Sequence, residues 1–227
     1  MELDGFSRLL AKAMLVLVPM LLSLTVHEFA HALAAKKLGD DTAERQGRLT
    51  LNPLAHADPI GTFALPLLII LASAAAPGIP FLGWAKPVPV DPRRFSRVHN
   101  MRTGMMLTAA AGPLSNLVLA FVCGGLLAGA QHTGVIDRVP VAVVILLSYL
   151  VRVNIGLFVF NMVPVYPLDG QKVLAGFLSG TAALNFEKFN YRFGWMTLMV
   201  VIFFAGDLLA KPVNLMELGL KTVLGLG

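Results

Sequence analysis

Charged residues and cysteine are both scarce in this sequence. Asp, Glu, Lys and Arg together account for 14% of the 227 residues, whereas they make up about 25% of an average soluble domain. The single cysteine, Cys123, excludes an intramolecular disulfide and a cysteine-based zinc site. Hydrophobic residues account for 56% of the chain, which excludes disorder, a coiled coil and collagen. The composition therefore predicts an integral membrane protein.

Five apolar segments are long enough, or nearly long enough, to cross a bilayer as helices, which takes about 20 residues each. The sequence therefore predicts an all-α membrane protein, a polytopic bundle of about five to six transmembrane helices. We expect one domain over residues 1–227, with a core at about 9–180 and a C-terminal helix and interfacial tail at about 190–227. The five predicted spans are Leu9–Lys36, Pro59–Ala76, Thr103–Ala130, Pro140–Phe160 and Phe193–Leu209.

The positive charge of the chain predicts how it sits in the membrane. Lys and Arg number 18 against 13 Asp and Glu. In so apolar a chain this excess favours the lipid bilayer, with its anionic headgroups, as a partner and no nucleic acid. The far side of the first span carries Lys36, Lys37, Arg45 and Arg48, whereas the near side carries Arg8 and Lys12. This asymmetry favours a cytoplasmic far side.

A His-Glu-x-x-His sequence inside the first predicted span is the strongest sign of chemistry. His27 and His31 lie four residues apart, so both imidazoles can meet one metal ion on the same helical face. Glu28 lies one position round the helix, where it can handle a proton on water held by the metal. Polar residues at a helix interface are the alternative, but each ionisable residue there costs on the order of 2–3 kcal/mol. A divalent metal compensates for three of them at once.

Two histidines leave a metal site incomplete, because catalytic zinc usually takes three protein ligands. Asp169 is a candidate, since two prolines and an Asp-Gly pair directly follow an apolar span. Irregular backbone at membrane depth persists only where it is buried in protein or lines a wet cavity. The same pattern also fits a surface turn with a helix N-cap. The other candidate ligands are His56, His99, His132 and Asp207.

Two polar stretches between the predicted spans favour extended backbone. The alternation in residues 45–53, flanked by Gly and Pro, predicts a short strand or hairpin. Residues 78–100 are rich in proline and carry a basic cluster, so a helix is not expected there. We expect an extended loop at the membrane surface or dipping into it.

Three parts of the chain, in order, resemble the signatures of the site-2 protease family of intramembrane zinc metalloproteases, peptidase family M50. They are His27–His31, Ala111–Asn116 and Asn161–Gly170. The resemblance covers about residues 20–175 and implies one Zn²⁺ per chain. It implies His27, His31 and Asp169 as the zinc ligands, Glu28 as the catalytic base, and Asn161 as a residue that helps hold the substrate or the oxyanion.

Further features of the resemblance concern the surroundings of the site. Asn116 is a second candidate for contact with the substrate or oxyanion, although it also fits packing between helices or the orientation of a loop near the metal. Residues 39–52 resemble the family's membrane-associated β segment. Many relatives carry PDZ domains or nucleotide-sensing domains, for which this chain has no room, so we expect a minimal member.

The resemblance implies a zinc-dependent intramembrane endopeptidase of a prokaryotic cell membrane, with its site below the cytoplasmic surface. Its partner would be a transmembrane-helix protein, cut within or near its membrane segment. Such a substrate must unwind locally, and an extended peptide can then pair with an exposed strand edge. Arg48, Leu49, Thr50 and Leu51 are predicted to supply that edge. The sequence does not predict the substrate or the oligomeric state.

Two other functions compete with proteolysis. A divalent-metal transporter or metal-sensing membrane protein would also use broken helices with intramembrane His and Asp. The absence of an inverted repeat disfavours this function, and so does Glu28, which a transport site does not need directly after a histidine ligand. A catalytically silent relative is disfavoured because His27, Glu28, His31 and Asp169 are all present.

Overall fold

The computed structural model describes residues 5–72, 83–204 and 206–226 of the chain, and most of them are helical. This agrees with the predicted all-α class. A π-helical turn, Pro59–Ala64, leads into α4, and short 3-10 turns lie at Pro92–Arg94 and Ile136–Arg138. The described helices are α1 (Gly5–Lys37), α2 (Thr42–Arg45), α3 (Pro53–His56), α4 (Leu65–Ala72), α5 (Met101–His132), α6 (Val141–Asn161), α7 (Asp169–Phe177), α8 (Gly180–Phe204) and α9 (Gly206–Leu224).

Three described segments are long and apolar enough to cross a membrane: Ala13–Lys37 within α1, and the whole of α5 and α6. The chain bends by 68° between α8 and Leu208–Leu224, and this pair counts as a fourth if it forms one span. The described residues therefore support an all-α membrane protein but do not confirm the prediction of about five to six spans.

Two predicted spans account for the difference. The second, Pro59–Ala76, corresponds to an apolar helix over Pro59–Ala72, and residues 73–76 lie outside the described part. The 14 described residues account for about 21 Å of the roughly 30 Å of hydrocarbon in a bilayer, so the described part of this segment does not by itself reach across. The fifth, Phe193–Leu209, is interrupted by the bend after α8. Both segments are apolar and helical where they are described, but apolar composition does not predict where the backbone bends.

The end of α1 lies where the sequence predicts it. Lys36 and Lys37 occupy the last turn, where basic side chains interact favourably with the negative end of the helix dipole. Gly39 has a φ of 110° and lets the Asp40 N–H donate back to the Ala35 carbonyl at 2.9 Å. A Cβ at Gly39 would lie 2.3 Å from Ser96 Oγ, so this glycine also permits a close approach of the later chain.

The centre of the bundle is formed by α1, α5 and α6. α1 packs against both of the others, α7 packs against α5, and α9 packs against α5 and α6. Leu220 of α9 joins a buried apolar cluster with Cys123 of α5 and Ile155 of α6. The stretch predicted as an interfacial tail therefore forms a helix, α9, that packs against the bundle. The face of α1 that carries His27 and His31 lies towards α5.

The β segment predicted for residues 39–52 is not found, since the described residues contain no β-strand. The short helix α2 occupies the middle of this stretch. Gly47, at a φ of 67°, then turns the chain so that the Arg48 N–H donates to the Ala43 carbonyl at 2.8 Å. Residues 49–52 follow as irregular backbone before α3. The alternation of side chains was present, but no neighbouring strand is aligned to form a ladder with it.

An extended segment at residues 83–91, which we call the strap, runs from the start of α4 to the end of α1. It belongs to the loop predicted for residues 78–100, of which residues 83–100 are described. The strap itself contains no helix, as predicted, and the 3-10 turn Pro92–Arg94 follows it. The Trp84 N–H donates to the Gly61 carbonyl at 3.1 Å, the Lys86 N–H to the His56 carbonyl at 2.8 Å, and the Asp91 N–H to Asp40 Oδ2 at 2.7 Å. The strap is therefore held along its length by hydrogen bonds.

Candidate metal centre

Helix periodicity brings His27 and His31 together on α1. Their Nε2 atoms lie 3.0 Å apart, and the ring planes are nearly perpendicular, at 88°. Both residues are buried, with 4% and 8% of their surfaces exposed. Two imidazoles thus direct their ring edges at a common point inside the bundle.

Asp169 reaches the same point from the start of α7. Its Oδ2 atom lies 3.1 Å from His27 Nε2 and 3.2 Å from His31 Nε2. Among the candidate third ligands, it is therefore Asp169 that meets the histidine pair. His99 is exposed, His56 bonds to the Thr50 carbonyl, and His132 bonds to the Leu224 carbonyl. The side chain of Asp207 lies outside the described residues.

The irregular turn before α7 gives Asp169 its position. The Tyr166–Pro167 peptide bond is cis, and the Tyr166 N–H donates to Asn190 Oδ1 of α8 at 2.8 Å. A Cβ at Gly170 would lie 2.4 Å from the Met162 carbonyl oxygen, so only glycine lets the first turn of α7 approach the end of α6 this closely. In the Asp-Gly pair, Asp169 thus supplies the carboxylate, and Gly170 permits the close helix approach that positions it.

The second ring nitrogen of each histidine is also occupied. His31 Nδ1 lies 2.7 Å from the Thr108 carbonyl oxygen, and His27 Nδ1 lies 2.6 Å from Asn116 Oδ1, both on α5. A carbonyl oxygen can only accept, so His31 Nδ1 is the donor and its Nε2 carries a free lone pair. Oxygen partners of this kind orient metal-ligating histidines.

The position of Asn116 differs from one predicted role. The sequence offered it as a contact for the substrate or oxyanion, but the side chain is fully buried and bonds to His27, Ser23 and Asn154. It therefore acts on the site through His27. The other candidate, Asn161, is half-buried, and its Nδ2 donates to the Leu157 carbonyl of its own helix at 3.0 Å. Its role towards a substrate remains a prediction.

Glu28 lies beside the histidine pair without displacing Asp169. Its nearest carboxylate oxygen and the imidazole nitrogens of His27 and His31 all lie within 4.8 Å of one another. Glu28 Oε2 accepts the N–H of Val88 at 2.9 Å, so the strap fixes this carboxylate. Sequence inspection missed this contact, because a backbone N–H 60 residues away leaves no residue-type signal.

The residues predicted as a strand edge, 48–51, contact the strap two residues before Val88. Arg48 is buried, and its Nη2 donates to the Lys86 carbonyl at 2.6 Å, two residues before Val88 in the strap. Leu49 and Thr50 are half-buried, whereas Leu51 is exposed. Residues 48–51 therefore lie next to the strap that reaches Glu28.

The donor set fits a divalent metal. Two imidazole nitrogens and one carboxylate oxygen converge within about 3 Å of one another, and three such ligands with one open position are typical of catalytic zinc. The His31 lone pair and the Asp169 oxygen are both electron-rich, so they repel each other unless a cation lies between them. A Cβ at Gly112 would lie 2.4 Å from His31 Nε2 and 2.7 Å from His27 Cε1. Glycine in α5 thus leaves the space that both rings fill.

The known proteins that this chain resembles are described as peptidases or zinc metalloproteases. The model of peptidase family M50 matches residues 135–201, a range that includes Asp169. YwhC of Bacillus subtilis, named as a candidate zinc metalloprotease, is 40% identical over 162 residues, which cover 70% of this chain and 67% of YwhC. Rip2 of Mycolicibacterium smegmatis and Rip2 of Mycobacterium tuberculosis carry the same description and are 34% and 32% identical. Each Rip2 match covers 70% of this chain and 56% of the relative. No solved structure matches the chain.

Zinc content per chain tests the ligand set. Asp169→Ala removes one of the three donors and should lose most of the metal, whereas Glu28→Gln keeps all three and should retain about one zinc per chain. The measurement is elemental analysis of detergent-purified variants beside the wild-type protein. Zinc unchanged in Asp169→Ala would show that the third ligand lies elsewhere.

A glycine pair on α5 tests whether the space beside the rings is needed. Gly112→Ala places a methyl group against both imidazoles and should lower zinc affinity by displacing them. Gly125→Ala is the matched control, since a Cβ there meets nothing within 4 Å. Each change raises intrinsic helix propensity by about 1 kcal/mol, so this effect cancels in the comparison. Equal zinc affinity in the two variants would contradict the close packing of Gly112 on the histidines.

Proposed function

Because the chain belongs to peptidase family M50 and is a metalloprotease, we propose that it is a zinc-dependent intramembrane endopeptidase. In this proposal it hydrolyses a peptide bond within or near the transmembrane segment of a membrane-anchored protein. The supporting observation is that two of the three donors, His27 and His31, lie on a helix that is itself long and apolar enough to cross a membrane, Ala13–Lys37.

The depth of the site follows from its place on this helix. His27 lies ten residues before Lys37, which corresponds to about 15 Å at the helical rise of 1.5 Å per residue. The proposed site therefore lies below the membrane surface on the side of Lys36 and Lys37. The distribution of basic residues assigns that side to the cytoplasm of a bacterial cell.

The donor residues suit zinc, and the relatives described above are named for the same metal. His27, His31 and Asp169 would hold the Zn²⁺, which when bound would supply a Lewis acid for the scissile carbonyl and would lower the pKa of water at the site toward about 7. Thr108 and Asn116 hold the two imidazoles in place through their Nδ1 atoms. The protein therefore presents its ligands in a fixed arrangement before a substrate arrives.

Glu28 is the proposed general base. Its carboxylate takes a proton from the attacking water while the water oxygen forms a bond to the carbonyl carbon. The C–N bond then breaks as Glu28 returns the proton to the leaving nitrogen. The Val88 N–H holds Glu28 Oε2 at 2.9 Å, which orients the carboxylate and leaves its other oxygen for this exchange.

Residues 48–51 are the proposed docking edge for an unwound substrate. Leu49 and Leu51 are alternate residues, so in an extended conformation their N–H groups face the same way. Neither N–H donates a hydrogen bond within the described part of the chain. These two donors can therefore pair with the carbonyl groups of an extended peptide. The neighbouring Arg48 and the strap connect this edge to Glu28.

Cleavage in reconstituted vesicles tests the proposed activity. Wild-type protein is mixed with single-span membrane proteins of varied sequence, and mass spectrometry locates any cut. Glu28→Gln should lower the cleavage rate by about 10²–10⁴-fold, the usual contribution of a general base, while zinc is retained. Glu44→Gln, at a half-exposed carboxylate that pairs with Lys36, is the control and should cleave at the wild-type rate.

The position of the cut separates two claims. A cut confined to soluble loops far from the bilayer would contradict intramembrane proteolysis while leaving the metalloprotease assignment intact. Wild-type cleavage by Glu28→Gln would contradict the role of Glu28 as base.

Proline substitutions test the docking edge. Leu49→Pro and Leu51→Pro each remove one of the two N–H donors, so both should slow cleavage without lowering zinc content. Leu49→Ala and Leu51→Ala keep the donors and serve as matched controls for loss of the side chain. Cleavage is measured with one substrate throughout. Equal rates in the proline and alanine variants would exclude backbone pairing at residues 48–51.

A further inference from the structure

A buried polar chain connects the metal centre to the far side of the bundle. Ser23 of α1, Asn116 of α5 and Asn154 of α6 are each fully buried. Asn154 Oδ1 accepts from Asn116 Nδ2 at 2.7 Å, and Asn116 Oδ1 lies 2.6 Å from His27 Nδ1. Buried polar groups are costly unless they are hydrogen-bonded, so three of them in the bundle centre require a reason.

The orientation of the Asn154 amide is set by a main-chain group. Asn154 Nδ2 lies 2.8 Å from the Leu150 carbonyl oxygen and 2.8 Å from Ser23 Oγ. Because a carbonyl oxygen can only accept, the atom facing it must be the amide nitrogen. Asn154 therefore turns its oxygen towards Asn116.

The orientation of Asn154 determines the amide orientation of Asn116. The Asn154 oxygen can only accept, so Asn116 must present its Nδ2. A second carbonyl oxygen, that of Ser23, lies 3.3 Å from the same nitrogen. Both N–H groups of Asn116 are thereby engaged, and its oxygen is left facing His27.

The orientation of Asn116 in turn determines which ring nitrogen of His27 carries the proton. Asn116 Oδ1 can only accept, so His27 Nδ1 must be the donor, and in the neutral imidazole its Nε2 then carries the free lone pair. A flipped Asn116 would present N–H groups to Nδ1 and favour the opposite tautomer, with the proton on Nε2. That tautomer cannot ligate a metal through Nε2.

We propose that Asn154 is a positioning residue, which selects the metal-binding tautomer of His27 by fixing the amide orientation of Asn116. The inference rests on the proposed zinc function, because it concerns the same centre. In the described part of the chain, the hydrogen bonds of Asn154 go to Asn116, Ser23 and Leu150, and to none of the proposed metal ligands. Its effect passes through one intervening side chain.

Two substitutions at position 154 separate this role from packing. Asn154→Leu has a similar size but removes the acceptor at 2.7 Å, so only the longer contact of 3.3 Å with the Ser23 carbonyl still opposes a flip of Asn116. Asn154→Asp keeps an acceptor for Asn116, and its carboxyl in the protonated form also donates one hydrogen bond to Leu150 or Ser23. A packing role alone predicts that burying the acid is at least as harmful as burying leucine. The positioning role predicts the reverse order for metal binding.

The first measurement is zinc affinity by competition with a chelator, beside the thermal midpoint of the metal-free protein. Asn154→Leu should weaken zinc binding about tenfold, at the lower end of the effect of groups that touch a ligand directly. Asn154→Asp should stay close to wild type, even if its thermal midpoint falls further. Thr25→Val is the control, since the Thr25 hydroxyl is buried in α1 and, among the residues that the structure describes, donates to the Leu21 carbonyl alone.

The second measurement reads the tautomer without metal. In ¹⁵N-histidine-labelled protein in bilayers, the nitrogen chemical shifts distinguish Nδ1–H from Nε2–H, and a His27→Asn variant assigns the signal. Wild type and Asn154→Asp should show His27 protonated on Nδ1, whereas Asn154→Leu should show a mixture.

The outcomes separate the two proposals. Wild-type protein that binds no zinc would refute the proposed function, while the His27 signal would still decide the inference. Asn154→Leu with unchanged zinc affinity and an unchanged His27 signal would overturn the inference alone. It would also be overturned if Asn154→Asp lost zinc as strongly as Asn154→Leu.

Discussion

The convergence of three electron-pair donors inside a helix bundle is the constraint on which the rest of this structure depends. His27 Nε2, His31 Nε2 and Asp169 Oδ2 lie within about 3 Å of one another, an arrangement that is unfavourable in a low-dielectric interior without a cation. Several features of the fold serve this meeting point. Gly112 leaves room for the rings, α5 supplies acceptors for their second nitrogens, and the turn after α6 brings the carboxylate.

The chemistry of the site was more predictable from the sequence than the architecture around it. His27, Glu28 and His31 were predicted as neighbours because helical periodicity is a local property. The residues made Asp169 one of several candidate ligands and the resemblance singled it out, because a contact across 142 residues depends on how the helices pack. The predicted number of spans is not confirmed by the described residues, and these contain no β-strand in the predicted β segment. Apolar length and alternation describe a residue's preference, whereas a bend or a strand partner is set by tertiary structure.

Contacts that use the main chain could not be predicted at all. The acceptor for His31 is the carbonyl of Thr108, and the donor for Glu28 is the N–H of Val88. Every residue carries these groups, so they leave no mark in the sequence. The polar chain through Asn154 is an intermediate case, because polar residues in apolar helices are visible as exceptions, but their partners are not.

The strap has one further consequence, which concerns its two edges. In an extended segment, successive residues direct their N–H groups to opposite sides, so the anchoring donors Trp84, Lys86 and Val88, which are alternate residues, all lie on one side. Residues 87 and 89, on the other side, are prolines and have no N–H. The outer edge of the strap is thus almost without donors and is a poor template for a peptide strand. If the substrate is an extended peptide, as proposed, it would find few donors along this edge, and the contact between Val88 and Glu28 would be left undisturbed.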